Sequence, residues 1–165
     1  MMSEKIVLTY ENMQEYFRQS VEFIFLDRVE ILPGQSAEGT KLVSAQDWYF
    51  KYHFPGNPVM PGVFQMEAIM QTGGLIINTL EGKKELSLLF EGCKDVRIYG
   101  SVRPGDVLKT SAVLLSYKRG IAKFRGESKV REKLLCTMEF MLISPGEMKN
   151  IMDRRGEKQI EVIRP

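Results

Sequence analysis

The spacing of apolar positions changes twice along the chain. Over residues 9–20, Tyr10, Met13 and Phe17 recur at i, i+3 and i+7, which predicts a short amphipathic helix. Residues 23–32 are rich in β-branched and aromatic side chains and stop at Pro33-Gly34. A strand followed by a turn is expected there, with a second strand over 37–45. Residues 47–62 gather Pro55, Gly56, Pro58, Pro61 and Gly62, which predicts a rigid, irregular loop. From 63 to 80 the apolar side chains point in nearly every direction around a helical wheel, the mark of a buried helix. Gly73 and Gly74 inside it each cost about 1 kcal/mol against Ala. Their expected use is the close approach of a sheet.

Beyond Gly82 the period becomes two. Strands are predicted over 86–90, 95–99, 107–117, 121–130 and 134–144. In the fourth of these, Ala122, Phe124, Gly126, Ser128 and Val130 alternate with Lys123, Arg125, Glu127 and Lys129, as in an antiparallel strand with one wet face. Two strands, one all-round apolar helix and three to five further strands amount to an α+β domain, with the helix in the concavity of a curved sheet. Such a sheet leaves an edge strand and apolar surface to cover, so self-association is expected.

Composition narrows the class. The 165 residues suit one domain, and 44% hydrophobic with 27% charged residues is ordinary for a globular chain. A net charge of +2 offers no electrostatic case for nucleic acid. Cys93 and Cys136 are too few for a disulfide framework or a structural zinc site. No apolar leader or membrane-spanning run stands out, so a soluble cytoplasmic protein is expected. One domain is read over 1–146, with a charged, weakly patterned extension over 147–165.

The chain has a single histidine, His53, in the proline-rich loop. Histidine titrates closer to neutral pH than any other side chain, so it is the first candidate base. A lone structural histidine is the competing reading. Glu67 lies one turn into the predicted helix, flanked by Met66, Ala68, Ile69 and Met70, and is a candidate acid. Gln71 is at i+4 on the same face, placed to orient it. The Gly62 amide, at the helix N-terminus, is a free donor at the positive end of the dipole. A base, an acid and an oxyanion donor suit removal of a proton α to a carbonyl with loss of a leaving group. Glu67 could instead be a buried carboxyl paired elsewhere.

The segment HFPGNPVMPGVFQMEAIMQ, residues 53–71, resembles the active-site segment of the (3R)-hydroxyacyl-[acyl-carrier-protein] dehydratases, enzymes of the hot-dog fold. Residues 25–29 (FLDRV) and 102–106 (VRPGD) resemble that family's first strand and later turn, so the likeness covers about 22–144. It implies that His53 takes the α-proton of a 3-hydroxyacyl thioester and that Glu67 protonates or orients the departing hydroxyl. It also implies that the Gly62 amide polarises the thioester carbonyl and that Gln71 positions Glu67. The product is a trans-2-enoyl thioester, and no cofactor or metal is called for. The two catalytic side chains come from different protomers of a dimer, which in this family often assembles as a trimer of dimers.

The partner implied is an acyl carrier protein, acidic as a class, with Lys94, Arg97, Arg103, Lys118 and Arg119 as candidate docking residues. Apolar side chains around the central helix, Phe64 and Leu89 among them, would line the acyl tunnel. Glu67, where a related isomerising branch has Asp, points to the branch that only dehydrates. The chain departs from the family at Tyr52, where a small glycine is common, and at residues 18–23, where a His-Arg-x-Pro-Phe entry is absent. Two alternatives stand beside this reading. One is a hot-dog thioesterase; the other is a non-catalytic partner subunit of a dehydratase.

Overall fold

The computed structural model describes residues 4–149. Its centre is the apolar stretch, which forms α1 (Gly62–Asn78) with Pro61 as N-cap. Pro61 has no N–H to lose, and its fixed φ of −51° turns the loop into the helix. Seven antiparallel strands wrap this helix: β1 (Ile6–Thr9), β2 (Arg28–Leu32), β3 (Ser36–Leu42), β4 (Leu89–Ile98), β5 (Val107–Lys118), β6 (Ile121–Val130) and β7 (Lys133–Ile143). Their order across the sheet is β1-β2-β3-β5-β6-β7-β4, so β1 and β4 are the edges. The α+β arrangement read from the sequence is the one observed. Among the described residues, no helix is long and apolar enough to cross a membrane.

The alternation in β6 sorts as the pattern demands. Ala122, Phe124, Gly126 and Ser128 are buried, while Lys123 and Arg125 are exposed. Phe124 stacks on Phe140 of β7 at 4.9 Å between ring centroids, under α1. Helix and sheet come so close that a Cβ at Gly126 would lie 2.3 Å from Ile69 Cγ2. The β5–β6 turn is two residues long, Arg119-Gly120, with φ of 54° and 76°. That paired left-handed geometry matches the twist of a tight hairpin.

Four expectations need correcting. Residues 9–20 do not form one helix: β1 comes first, then a single helical turn (Tyr10–Met13) that tightens into a 3-10 turn (Gln14–Tyr16). Only Met13 of the predicted apolar face is fully buried. The strand predicted over 23–32 begins only at Arg28. The Phe23 carbonyl and the Phe25 amide are bound by the Gln71 side chain, which removes them from any strand ladder. Residues 86–90 and 95–99 supply one strand rather than two. The register of β4 on β7 shifts between Phe90 and Gly92 and again between Lys94 and Arg97, where Asp95 takes a φ of 53°. A bulge admits the extra residue while pairing continues. Last, the glycine pair has divided roles. A Cβ at Gly73 would meet Phe140 Cζ at 2.7 Å, so the sheet does press there, whereas at Gly74 the nearest atoms stand off at 3.6 Å.

The predicted extension over 147–165 lies outside the described residues except at its start. There Glu147 pairs with Lys83 and accepts a bond from Tyr117 Oη. This ties the segment after β7 to the turn that follows α1.

Candidate active site

His53 sits in a loop that folds largely on itself. Trp48–Lys51 form a 3-10 turn, and the Tyr49 carbonyl accepts the N–H of both Tyr52 (3.1 Å) and His53 (3.0 Å). The His53 carbonyl accepts the Val59 N–H (2.9 Å), and Phe54 and Asn57 exchange both of their backbone bonds. The His53–Phe54 peptide is cis, and the two rings stack at 3.9 Å. Asp47 holds the entry by accepting from Tyr49 Oη (3.0 Å), the Ser44 amide (3.0 Å) and Lys41 Nζ (3.2 Å). Burial, helped by the Asp47 charge, pushes the Tyr49 phenol far above its ordinary range, so it stays a donor. On the other flank, Arg103 Nη1 donates to Asn57 Oδ1 (3.0 Å) and the Met60 amide donates to the Val102 carbonyl (2.8 Å).

This frame assigns the proton on the imidazole. His53 Nδ1 lies 2.9 Å from the Val59 carbonyl oxygen. A carbonyl can only accept, so Nδ1 carries the hydrogen and the neutral ring presents its lone pair at Nε2. The loop therefore presents the imidazole lone pair at one defined atom.

Glu67 is held by different means. Gln71 Nε2 donates to Glu67 Oε1 (2.9 Å) and to the Phe23 carbonyl (2.7 Å), while Gln71 Oε1 accepts the Phe25 N–H (2.9 Å). The Phe23 carbonyl cannot donate and the Phe25 amide cannot accept, so the Gln71 amide has one orientation only. Glu67 Oε1 is thereby an acceptor, and Oε2 is the oxygen that Gln71 does not hold. Carboxylate and amide open on a cavity of about 370 Å³. Its walls include Met70, Gly74 and Asn78 of α1, residues 16–19 ahead of β2, and residues 86–90 leading into β4.

The remaining predicted residues are placed as follows. Gly62 is the first residue of α1, and its N–H has no intrahelical acceptor. A Cβ there would lie 2.6 Å from Ile98 Cδ1, the tip of a half-exposed side chain at the end of β4. Phe64 belongs to an aromatic cluster, stacked on Phe25 at 4.8 Å and close to Trp48 and Tyr49. Leu89 lines the Glu67 cavity; His53 and Phe64 do not. Tyr52 is 65% exposed, with Lys51 Nζ over its ring. Of the basic candidates, Lys94 is paired with Glu139 and Arg103 with the His53 loop, while Arg97, Lys118 and Arg119 are exposed.

Sequence reasoning missed three contributors: the Val59 carbonyl, the Phe23 and Phe25 backbone groups, and the strap of residues 16–19. Backbone groups and distant segments leave no residue-type signal. It also left out Asn78 and gave Gly74 to sheet packing, although a signal for both existed. Glu67, Gln71, Gly74 and Asn78 fall at i, i+4, i+7 and i+11, one polar or small stripe along an otherwise apolar helix.

Comparison with known proteins gives the family of the chain. Residues 19–139 match the model of the FabA-like domain. The chain is 42% identical over 120 residues to the 3-hydroxyacyl-[acyl-carrier-protein] dehydratase FabZ of Chloroflexus aggregans, covering 72% of this chain and 83% of that one. It is 35% identical over 142 residues to the enzyme of the same name from Roseiflexus sp., covering 86% and 99%. Among solved structures it resembles the dehydratase heterocomplex ApeI:P from Xenorhabdus doucetiae, with a TM-score of 0.70 at 18% identity, covering 86% of this chain and 97% of that one. A hypothetical thioesterase with coenzyme A from Streptococcus pneumoniae is more distant, with a TM-score of 0.51 at 13% identity, covering 68% and 80%. These two likenesses are of fold, the hot-dog fold, and the match through the proline-rich loop, α1 and the sheet makes this chain a member of the FabA-like family, alongside the FabZ dehydratases.

Proposed function

We propose that the protein dehydrates (3R)-3-hydroxyacyl thioesters carried on acyl carrier protein, giving trans-2-enoyl thioesters for the synthesis of fatty acids or related acyl chains. The observation that carries this reading is the Gln71-held carboxyl of Glu67 at a cavity with an apolar wall, in a chain whose one histidine offers a free Nε2. His53 Nε2 takes a proton from C2, and the C–H electrons become the C2=C3 double bond. The C3–O bond breaks with its electrons onto oxygen, and Glu67, entering as the acid, protonates that oxygen through Oε2 to release water. Proton transfer from the imidazolium back to the carboxylate resets the site. The Gly62 N–H, at the positive end of α1, stabilises the negative charge that builds on the thioester carbonyl oxygen.

The reading includes a dimer that completes the site. His53 does not line the cavity that Glu67 opens on, so the base is supplied by a second copy across the β4 edge. Leu89, Phe90, Ile98 and Tyr99 are large apolar side chains left exposed along and just beyond that edge, a surface that self-pairing would cover. A trimer of such dimers follows the family habit. The acidic carrier would dock on Arg97, Lys118 and Arg119, with Lys94 and Arg103 at its margin. Residues 1–146 act as one domain and 147–165 as an extension, and the site of action is the cytoplasm.

The test is an absorbance assay of enoyl thioester formation from 3-hydroxyacyl carrier protein, with His53→Ala and Glu67→Gln alongside. Turnover that falls about 10²-fold or more in each variant supports both roles. A folded, dimeric protein that turns over no carrier-bound 3-hydroxyacyl chain would overturn the reading. Release of free thiol in place of enoyl product would make the protein a thioesterase.

A further inference from the structure

The cavity beside Glu67 has a direction. Glu67, Met70, Gln71, Gly74 and Asn78 all line it, and they form one stripe of α1. At 1.5 Å of rise per residue, Asn78 lies about 16 Å along the axis from Glu67, and Gly74 about 10 Å. The far end is closed by Asn78 itself. Its Nδ2 donates to the Leu86 carbonyl (2.8 Å) and the Lys83 carbonyl (3.1 Å), which folds the turn after α1 across the end of the stripe. The opposite wall is the strap of residues 16–19. Arg18 fastens it to the Glu85 carbonyl (2.6 Å) and carboxylate, and Lys84 pairs with Glu15 (2.5 Å). Between carboxyl and floor the wall is apolar, with Met70, Leu88, Leu89 and Leu142.

We infer that Gly74 sets the length of acyl chain this enzyme accepts, by leaving open the middle of a pocket that ends at Asn78. The inference rests on the dehydratase reading, in which the C3 hydroxyl lies at Glu67 and the chain runs away from it along the stripe. An extended alkyl chain advances roughly 1.25 Å per carbon, from bonds of about 1.5 Å at near-tetrahedral angles. The distance from Glu67 to Asn78 then takes about 13 carbons beyond C3, and the distance to Gly74 only about eight.

Gly74 is free to be anything small as far as packing is concerned. A Cβ would meet Leu142 Cδ1 at 3.6 Å and Leu88 Cδ1 at 3.7 Å, both ordinary contacts with side chains of the cavity wall. A helix-interior glycine costs about 1 kcal/mol against Ala, and here no backbone approach requires one. Its neighbour Gly73, pressed by Phe140 and Phe124, has the packing reason that Gly74 lacks. What a side chain at 74 would take is room in the cavity.

The experiment compares kcat/KM for 3-hydroxyhexanoyl and 3-hydroxytetradecanoyl carrier protein, using the full chain and the variants Gly74→Ala, Gly74→Leu and Gly73→Ala. The unmutated chain should take both substrates. Gly74→Leu should lower the ratio of long-chain to short-chain kcat/KM by about tenfold or more, and Gly74→Ala by a smaller factor in the same direction. Gly73→Ala should lower the melting temperature and leave the ratio where it was. The inference is overturned if the ratio is unchanged in both folded Gly74 variants, or if the unmutated chain takes the short substrate and rejects the long one. Failure of the unmutated chain on both substrates would overturn the dehydratase reading, and this assignment with it.

Discussion

The two halves of the site are held in place by opposite means. The His53 loop is built from neighbours: nearly every bond that fixes it, from the Tyr49 carbonyl to the Val59 carbonyl, lies within about a dozen residues of sequence. The Glu67 side is built from a distance. Gln71 orients the carboxyl only because Phe23 and Phe25, 46 to 48 residues earlier in the chain, occupy its other hydrogen-bonding groups. The placing of the His53 ring depends on short-range backbone geometry and that of the Glu67 carboxyl on tertiary packing. They should therefore fail differently when disturbed.

The largest effect tests the chemistry of both halves. His53→Ala and Glu67→Gln are each expected to lower kcat by about 10²- to 10⁴-fold with the fold intact, read from steady-state kinetics beside circular dichroism. A variant that loses activity only by unfolding would remove that half from the chemistry.

Next comes the difference in support. Gln71→Leu leaves the Phe25 N–H and the Phe23 carbonyl without partners inside the protein. Each such group costs about 1–3 kcal/mol, so urea unfolding should show a loss of several kcal/mol together with a fall in kcat. Arg103→Ala removes an exposed brace from the His53 loop and should cost less than about 1 kcal/mol. Equal costs for the two substitutions would contradict the contrast between near and distant support.

A smaller pair of effects separates the adjacent glycines. Gly73→Ala forces a methyl onto Phe140 and should destabilise by about 1–3 kcal/mol. Gly74→Ala meets only ordinary contacts and gains helix propensity, so it should be neutral or stabilising by up to about 1 kcal/mol. Thermal melts of the two proteins decide it.

The smallest effect is at the exposed face of β7. A hydrogen bond from Arg125, and a second from Lys94, hold the Glu139 carboxyl below its ordinary range. A depressed carboxyl pKa adds stability above the unfolded-state value near 4.5 and loses it as the pH falls through the lower folded-state value. Glu139→Gln should therefore lower stability slightly at pH 7 and make the acid limb of the unfolding profile shallower. Urea midpoints at pH 7 and pH 3 would show whether the difference between the two proteins closes.

How far the sequence could be read follows the same contrast. The buried helix, the alternating strands and the proline-rich loop were legible because each is a local consequence of side-chain period or backbone restriction. The false helix over 9–20 and the false start of β2 at Phe23 were set by distant partners. Met13 is buried by the sheet, while Gln71 takes the backbone groups of residues 23–25. The bulged β4 looked like two strands because residues 91–94 break the apolar period, with a register shift between Phe90 and Gly92, while pairing to β7 goes on.

By itself, the sequence determined the fold class, the loop that carries His53, the helix that carries Glu67, and the i+4 relation of Glu67 to Gln71. Each depends on chain geometry over a few residues, which side-chain type and spacing encode directly. Only the tertiary structure decided which imidazole nitrogen is free, which carboxyl oxygen is held, and that Gly73 packs while Gly74 faces a cavity. Those choices rest on where a carbonyl, an amide or an aromatic ring arrives from another part of the chain. Such arrivals are fixed when the sheet closes around the helix, not by the residues on either side.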